Sequence, residues 1–129
     1  MRIRPFEEAD RVAVVGLWRD CGLTRPWNDP DRDIDRKLGV QPELFLVGEV
    51  DGAVVATVMA GYDGHRGWMN YLATAPTHRS RGYARALVAA AEDGLLALGC
   101  PKVNLQIRAT NAEVLAFYGF NFDSKAVQK

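Results

Sequence analysis

A short basic turn, set between a strand-length apolar run and a long helical stripe, constrains this chain more than any other feature. The run Trp68 to Leu72 is largely apolar and passes through Ala73-Thr74-Ala75 to Pro76. Proline has no N–H for a ladder and fixes its own φ, so a strand must end there. Further on, apolar residues fall at Ala84, Leu87, Val88, Ala91, Leu95 and Leu98, the i, i+3, i+4, i+7 spacing of one helix face. Between the two lies Arg79-Ser80-Arg81-Gly82, with His78 before it and Arg85 after. A helix opening at such a turn presents unpaired N–H groups, a dipole that favours negative charge, and fixed positive charge. Gly82 lets the backbone approach whatever sits there. The segment predicts an anion site, and a phosphorylated ligand is the first expectation.

Composition sharpens this. Lysine plus arginine and aspartate plus glutamate number 16 each, so no global field draws the chain to nucleic acid or to a membrane. The basic cluster is local and implies a local anion. On a neutral chain it would give nucleic acid only weak, salt-sensitive contacts. With 129 residues the chain suits one domain, 1–129, with one core. The longest apolar run, Ala53 to Ala60, is far short of the roughly 20 residues of a membrane helix. Met1-Arg2-Ile3-Arg4 runs into a polar stretch rather than a secretory signal, so Cys21 and Cys100 read as free thiols in a reducing cytoplasm. No metal site is expected.

In chain order, Arg2-Ile3-Arg4-Pro5-Phe6 alternates and predicts a short first strand. Val14, Leu17, Trp18 and Cys21 then mark an amphipathic helix ending near Gly22. A turn-rich loop, Leu23 to Pro30, leads to a second short helix over Asp31 to Leu38, whose charges read as a solvated face. Leu44 to Val50 predicts a strand, Asp51-Gly52 a two-residue hairpin, and Ala53 to Tyr62 a returning strand covered on both faces. Asp63 to Gly67 turns into the strand Trp68 to Thr74. Gly99-Cys100-Pro101 stops the long helix. Val103 to Ile107 alternates as a further strand, and Asn111 caps a short helix, Ala112 to Tyr118.

These residues resemble a family. Arg79-x-x-Gly82-x-Ala84, after a strand ending Leu-x-x-x-Pro, resembles the (Arg/Gln)-x-x-Gly-x-(Gly/Ala) signature of the GNAT N-acetyltransferases. Asn111 with Phe117-Tyr118 resembles that family's second signature, although Tyr118 runs directly into Gly119-Phe120 where the family usually has intervening residues. The segments Arg25 to Pro30 and Gly61 to Gly67 look like a bacterial YpeA-type branch. The resemblance implies an α/β (α+β) fold with a mixed, mostly antiparallel sheet flanked by helices, in the order β-α-α-β-β-β-α-β-α-β.

It also implies a reaction: a neutral amine attacks the thioester of acetyl-coenzyme A, bound as cosubstrate. Arg79, Ser80, Arg81, Gly82, Tyr83 and Ala84 would hold its pyrophosphate. Backbone groups of Leu72, Ala73 and Thr74 would hold the pantetheine arm and the oxyanion. Asn111 is a coenzyme contact or simply a helix cap. Tyr118 is the candidate general acid, or else an aromatic packed at a helix end; a phenol near pKa ~10 lies above a thiol's ~8.5, so transfer to the thiolate is downhill. The base is open between Glu49, Asp63 or His65 in the next turn, and none, with solvent-exposed structural roles as the alternatives. Trp27, with Arg25 and Asn28, either lines an acceptor pocket or anchors a loop. A small-molecule, peptide or protein amine would be the partner, and a homodimer is compatible. A coenzyme A-binding module without catalysis, acting as sensor or partner protein, is the competing function.

Overall fold

The computed structural model describes residues 1–106 and 127–128. Its elements run β1 (Arg2–Pro5), α1 (Arg11–Asp20), α2 (Pro30–Leu38), β2 (Phe45–Val50), β3 (Ala53–Tyr62), β4 (Gly67–Thr74), α3 (Tyr83–Ala97), β5 (Val103–Gln106) and β6 (Val127–Gln128). Up to β5 this is the expected order. The expected helix Ala112 to Tyr118 lies outside the described residues.

The strands form one sheet in sequential order, β1 through β6. Pairs β1/β2, β2/β3 and β3/β4 are antiparallel, whereas β4/β5 and β5/β6 are parallel. The sheet is therefore mixed. Local chemistry explains the turns that build it. Asp51 and Gly52 carry φ of 52° and 81°, the paired left-handed conformation of a tight hairpin matched to strand twist. Asp29 caps α2 by accepting from the N–H groups of Asp31 and Arg32 at 3.0 and 3.3 Å, with Pro30 in the first turn.

Two cores sandwich the sheet. On one face, Leu87, Val88, Ala91 and Leu95 of α3 pack against Leu46, Ala56, Val58, Ala60 and Met69. On the other, Val14, Leu17 and Trp18 of α1 and Ile34 of α2 cover Phe45, Val47, Met59 and Ala73. Strand β3 feeds both, which accounts for its nearly unbroken apolar run. The α3 stripe ends one turn early, because Leu98 caps the helix and is exposed.

Helix α2 departs from the solvated-face expectation. Ile34 is fully buried, and Lys37 is only 8% exposed. The Lys37 ammonium occupies the notch left by the missing side chain of Gly61, 3.3 Å from where a Cβ would stand. Among the described residues it makes no hydrogen bond or ion pair. Burial pushes its pKa below the ordinary 10.5, with Glu43 opposing. Lys37→Met is expected to raise the melting temperature, because a buried unpaired charge gives way to an apolar chain of similar length. The sign of the pH dependence follows. Between the lowered folded value and the unfolded one the unfolded chain binds more protons, so the natural protein gains stability as pH rises. Thermal melts should show the advantage of Lys37→Met narrowing as pH climbs toward 10.5.

Candidate functional site

The site is built on β4 and the turn that follows it. Opposite β3, register runs Thr57↔Ala73 and then Met59↔Asn70, so β4 carries one extra residue there. This β-bulge contains Tyr71, whose φ is 52°. A left-handed aromatic is rare and needs outside support. Tyr71 has it: its ring stacks on Trp18 with centroids 3.8 Å apart, its carbonyl accepts from Thr57 Oγ1 at 2.8 Å, and its hydroxyl donates to Asp33 on α2. Burial, then Asp33, hold that hydroxyl protonated well above the ordinary tyrosine range.

On its other side, among the described residues, β4 is paired only near its start. Pairing with β5 covers only Gly67↔Val103, Trp68↔Asn104 and Met69↔Leu105. From Asn70 to Thr74, among the described residues, that edge is open. Leu72, Ala73 and Thr74 all lie on it, and an extended chain could add there as a strand.

After β4 the chain makes a single 3-10 turn, Pro76–His78, and enters α3 through Arg79-Ser80-Arg81-Gly82. Ser80 and Gly82 have φ of 65° and 79°. Gly82 is the N-cap of α3, and no side chain caps the helix. The first-turn N–H groups of Tyr83 and Ala84 thus have no intrahelical acceptor. No acidic residue lies in that turn. A Cβ at Gly82 would meet nothing within 4 Å, so the space before the helix is open. Arg79 folds back, its Nε donating to the Thr74 carbonyl at 3.4 Å and Nη2 lying 3.9 Å from Cys21 Sγ. Arg81 is exposed and makes no hydrogen bond or ion pair among the described residues. The turn is an uncapped helix start with one arginine bracing it and one free, which suits a polyanionic ligand.

The candidate bases fall away from this point. Glu49 accepts from Arg4 Nε at 2.8 Å, while the same guanidinium grips both Asp10 oxygens at 2.8 and 2.9 Å. It sits on β2, two strands from β4, about 10 Å at ordinary strand spacing. His65 is exposed in the β3–β4 turn, its N–H donating to Asp63 Oδ1 at 2.8 Å. That turn is at the opposite end of β4 from Thr74, roughly 20 Å away at the usual rise per residue. Asp63 is spent on the turn, accepting also from the Arg66 N–H at 2.7 Å and Trp68 Nε1 at 3.1 Å. The Arg66 and His65 N–H groups and the Trp68 indole hold its pKa down to about 2.

On the α1–α2 side, Trp27 is 78% exposed, so it does not anchor its loop to the core. Arg25 braces that loop through the carbonyls of Gly22 and Thr24 at 2.6 and 2.9 Å, and the Asn28 N–H donates to Arg25 O at 2.9 Å. An exposed indole on a braced loop can contact a ligand. Asn111 and Tyr118 lie outside the described residues. Among those described, no three His, Cys, Asp or Glu residues gather in a way that could hold a metal, and no helix is long and apolar enough to cross a membrane. Sequence reasoning missed the bulge and its supports. The one available signal was Thr57, a lone polar residue between Val54 and Ala60.

Comparison with known proteins identifies the family and the fold. The sequence pattern of the acetyltransferase (GNAT) family matches residues 12–122. An acetyltransferase of Yersinia enterocolitica is 52% identical over 118 residues, covering 92% of this chain and 84% of that protein. Among solved structures, the NatC complex bound to Gag peptide and CoA aligns with TM-score 0.79 at 22% identity, covering 92% of this chain and 81% of that one. AAC(6')-Iy in complex with a CoA-linked acetylneamine bisubstrate analogue aligns with TM-score 0.76 at 17% identity, over 92% and 87% of the two chains. The fold, and a relative sharing half its residues with this chain, carry one name. The chain belongs to the GNAT family of acetyltransferases, enzymes that draw their acyl group from acyl-coenzyme A.

Proposed function

We propose that this protein transfers acetyl from acetyl-coenzyme A to a primary amine by direct attack. The observation that carries the reading is the uncapped start of α3, left-handed at Gly82 and flanked by Arg79 and Arg81, immediately after a β4 edge that is open among the described residues. The pyrophosphate lies over the N–H groups of Tyr83 and Ala84, with Ser80 and Arg81 beside it. The pantetheine arm runs along Leu72, Ala73 and Thr74 as an added strand, and backbone N–H groups there take the charge that develops on the thioester oxygen. Asn111 contributes a second coenzyme contact. The amine nitrogen forms its bond to the carbonyl carbon, the tetrahedral intermediate loses the extra N–H proton to solvent and collapses with cleavage of the C–S bond, and Tyr118 gives its proton to the departing thiolate and regains one from solvent.

No side-chain base is assigned. Glu49 is taken by Arg4, and His65 sits at the far turn, so the amine is taken to arrive neutral. Trp27, Arg25 and Asn28 face the acceptor. NatC was solved with a peptide and AAC(6')-Iy with an aminoglycoside-derived analogue, so a peptide terminus and a small polar amine are both in scope. The setting is the cytoplasm.

The two arginines provide the test. Arg81→Ala should weaken coenzyme A about tenfold or more, since a charge-assisted phosphate contact contributes about 1.5–3 kcal/mol, and leave phosphate-free pantetheine unaffected. Arg79→Ala should do the same and also lower the melting temperature, because it removes one of the two donors to the Thr74 carbonyl and leaves only Cys21 Sγ at 3.3 Å. Calorimetry with both ligands reads the difference. Equal weakening of both ligands would mean the arginines serve only the fold.

A further inference from the structure

We infer that Thr57 and Tyr71 are positioning residues for the thioester arm, because the ring they form with Trp18 holds the β4 bulge open and ties it to α2. The inference rests on the acetyl-coenzyme A reading above and goes beyond it in naming what sets the reactive edge. Thr57 Oγ1 accepts from Trp18 Nε1 at 2.9 Å and donates to the Tyr71 carbonyl at 2.8 Å. The Tyr71 ring closes the circuit by stacking on Trp18 at 3.8 Å and 15°. Its hydroxyl then reaches Asp33 on α2. Trp18 and Thr57 are both fully buried.

This is more than core packing requires. Valine has the shape of threonine and would fill position 57 of an apolar strand without a hydroxyl needing two partners. An aromatic residue at φ 52° persists only where its surroundings over-determine it, and here three separate contacts to Tyr71 do so. Their common effect is on the backbone. They absorb the extra residue at Tyr71, and among the described residues β4 pairs with β5 only as far as Met69. Bulges re-aim a strand in this way beside active sites. The ring thus sets the backbone course of Leu72 and Ala73, the residues next to the bulge. Asp33 belongs to the helix that follows the Trp27 loop, so the acceptor side and the thioester edge share one side chain.

The test separates the arm from the phosphates. Acetyl-coenzyme A carries the arm, whereas 3′-phospho-ADP does not, and both are titrated calorimetrically into the intact protein. Thr57→Val is expected to weaken acetyl-coenzyme A about tenfold, as two buried hydrogen bonds are lost, while 3′-phospho-ADP shifts less than about twofold. Thr57→Ser, which keeps the hydroxyl, should restore the natural pattern. Tyr71→Phe keeps the ring and the carbonyl bond and loses only the tie to Asp33. It should show the same split at about threefold, and it decides the matter if Thr57→Val fails to fold. Equal weakening of both ligands, or unchanged affinity for acetyl-coenzyme A, would overturn the inference. If the natural protein bound neither ligand, the acetyl-coenzyme A reading would fall first, by a separate result, and this inference with it.

Discussion

Replacing Gly82 by valine is expected to abolish coenzyme binding while the fold survives. Gly82 caps α3 at φ 79° and ψ 11°, a conformation that a β-branched residue strongly resists. Nothing in the protein lies within 4 Å of a Cβ placed there, so the cost is not an internal clash. It is strain in the turn, and bulk in the space where, on the proposed reading, the pyrophosphate comes close to the N–H groups of Tyr83 and Ala84. If the backbone relaxes, those groups turn away; if it does not, the methyl groups stand in front of them. A loss of affinity above about 100-fold is expected, since several charge-assisted contacts fail together. Gly82→Ala should fall between, carrying about 1–2 kcal/mol of left-handed strain and little bulk. Calorimetry on folded protein checks both. Unchanged affinity in Gly82→Val would remove the anion site from the turn.

Tyr118→Phe should leave acetyl-coenzyme A affinity nearly intact and lower turnover by about 10²–10⁴-fold, the usual contribution of a positioned general acid. On the proposed mechanism the hydroxyl is needed only as the thiolate departs, so its loss belongs in kcat and not in ground-state binding. The deficit should shrink as pH falls, because solvent then protonates the thiolate. Steady-state kinetics across pH reads all three features. A phenylalanine variant with full activity would mean that water or another donor does this work, and that Tyr118 is a packing residue.

Features encoded by neighbours in the chain were legible in the sequence. Asp51-Gly52 specified its hairpin, Pro76 ended β4, and the spacing from Ala84 to Leu95 placed α3 and the basic turn before it. Each rests on residues within a few positions of one another. What stayed hidden depends on contacts made across the fold. The bulge at Tyr71 exists because of Thr57 and Trp18, distant in sequence, and an extra residue in a strand leaves no periodic trace. Glu49 looked available as a base until Arg4, 45 residues earlier, was found to hold it. Lys37 read as a solvated charge because nothing nearby in sequence reveals the notch at Gly61. Trp27 read equally well as a loop anchor, and only its exposure decides against that. Asn111 and Tyr118 stand at the spacing of the second signature, and the kinetics of Tyr118→Phe decide whether the tyrosine has the role that spacing implies.

Thiol release from acetyl-coenzyme A, followed with a panel of small amines and peptide termini, tests the transfer reaction most directly. Release that requires both protein and amine, saturates with acetyl-coenzyme A, matches the acetylated amine found by mass spectrometry and disappears in Gly82→Val is the predicted result. Calorimetric binding of acetyl-coenzyme A with no release above the protein-free rate, for any amine in the panel, would contradict it and leave a coenzyme-binding module without catalysis.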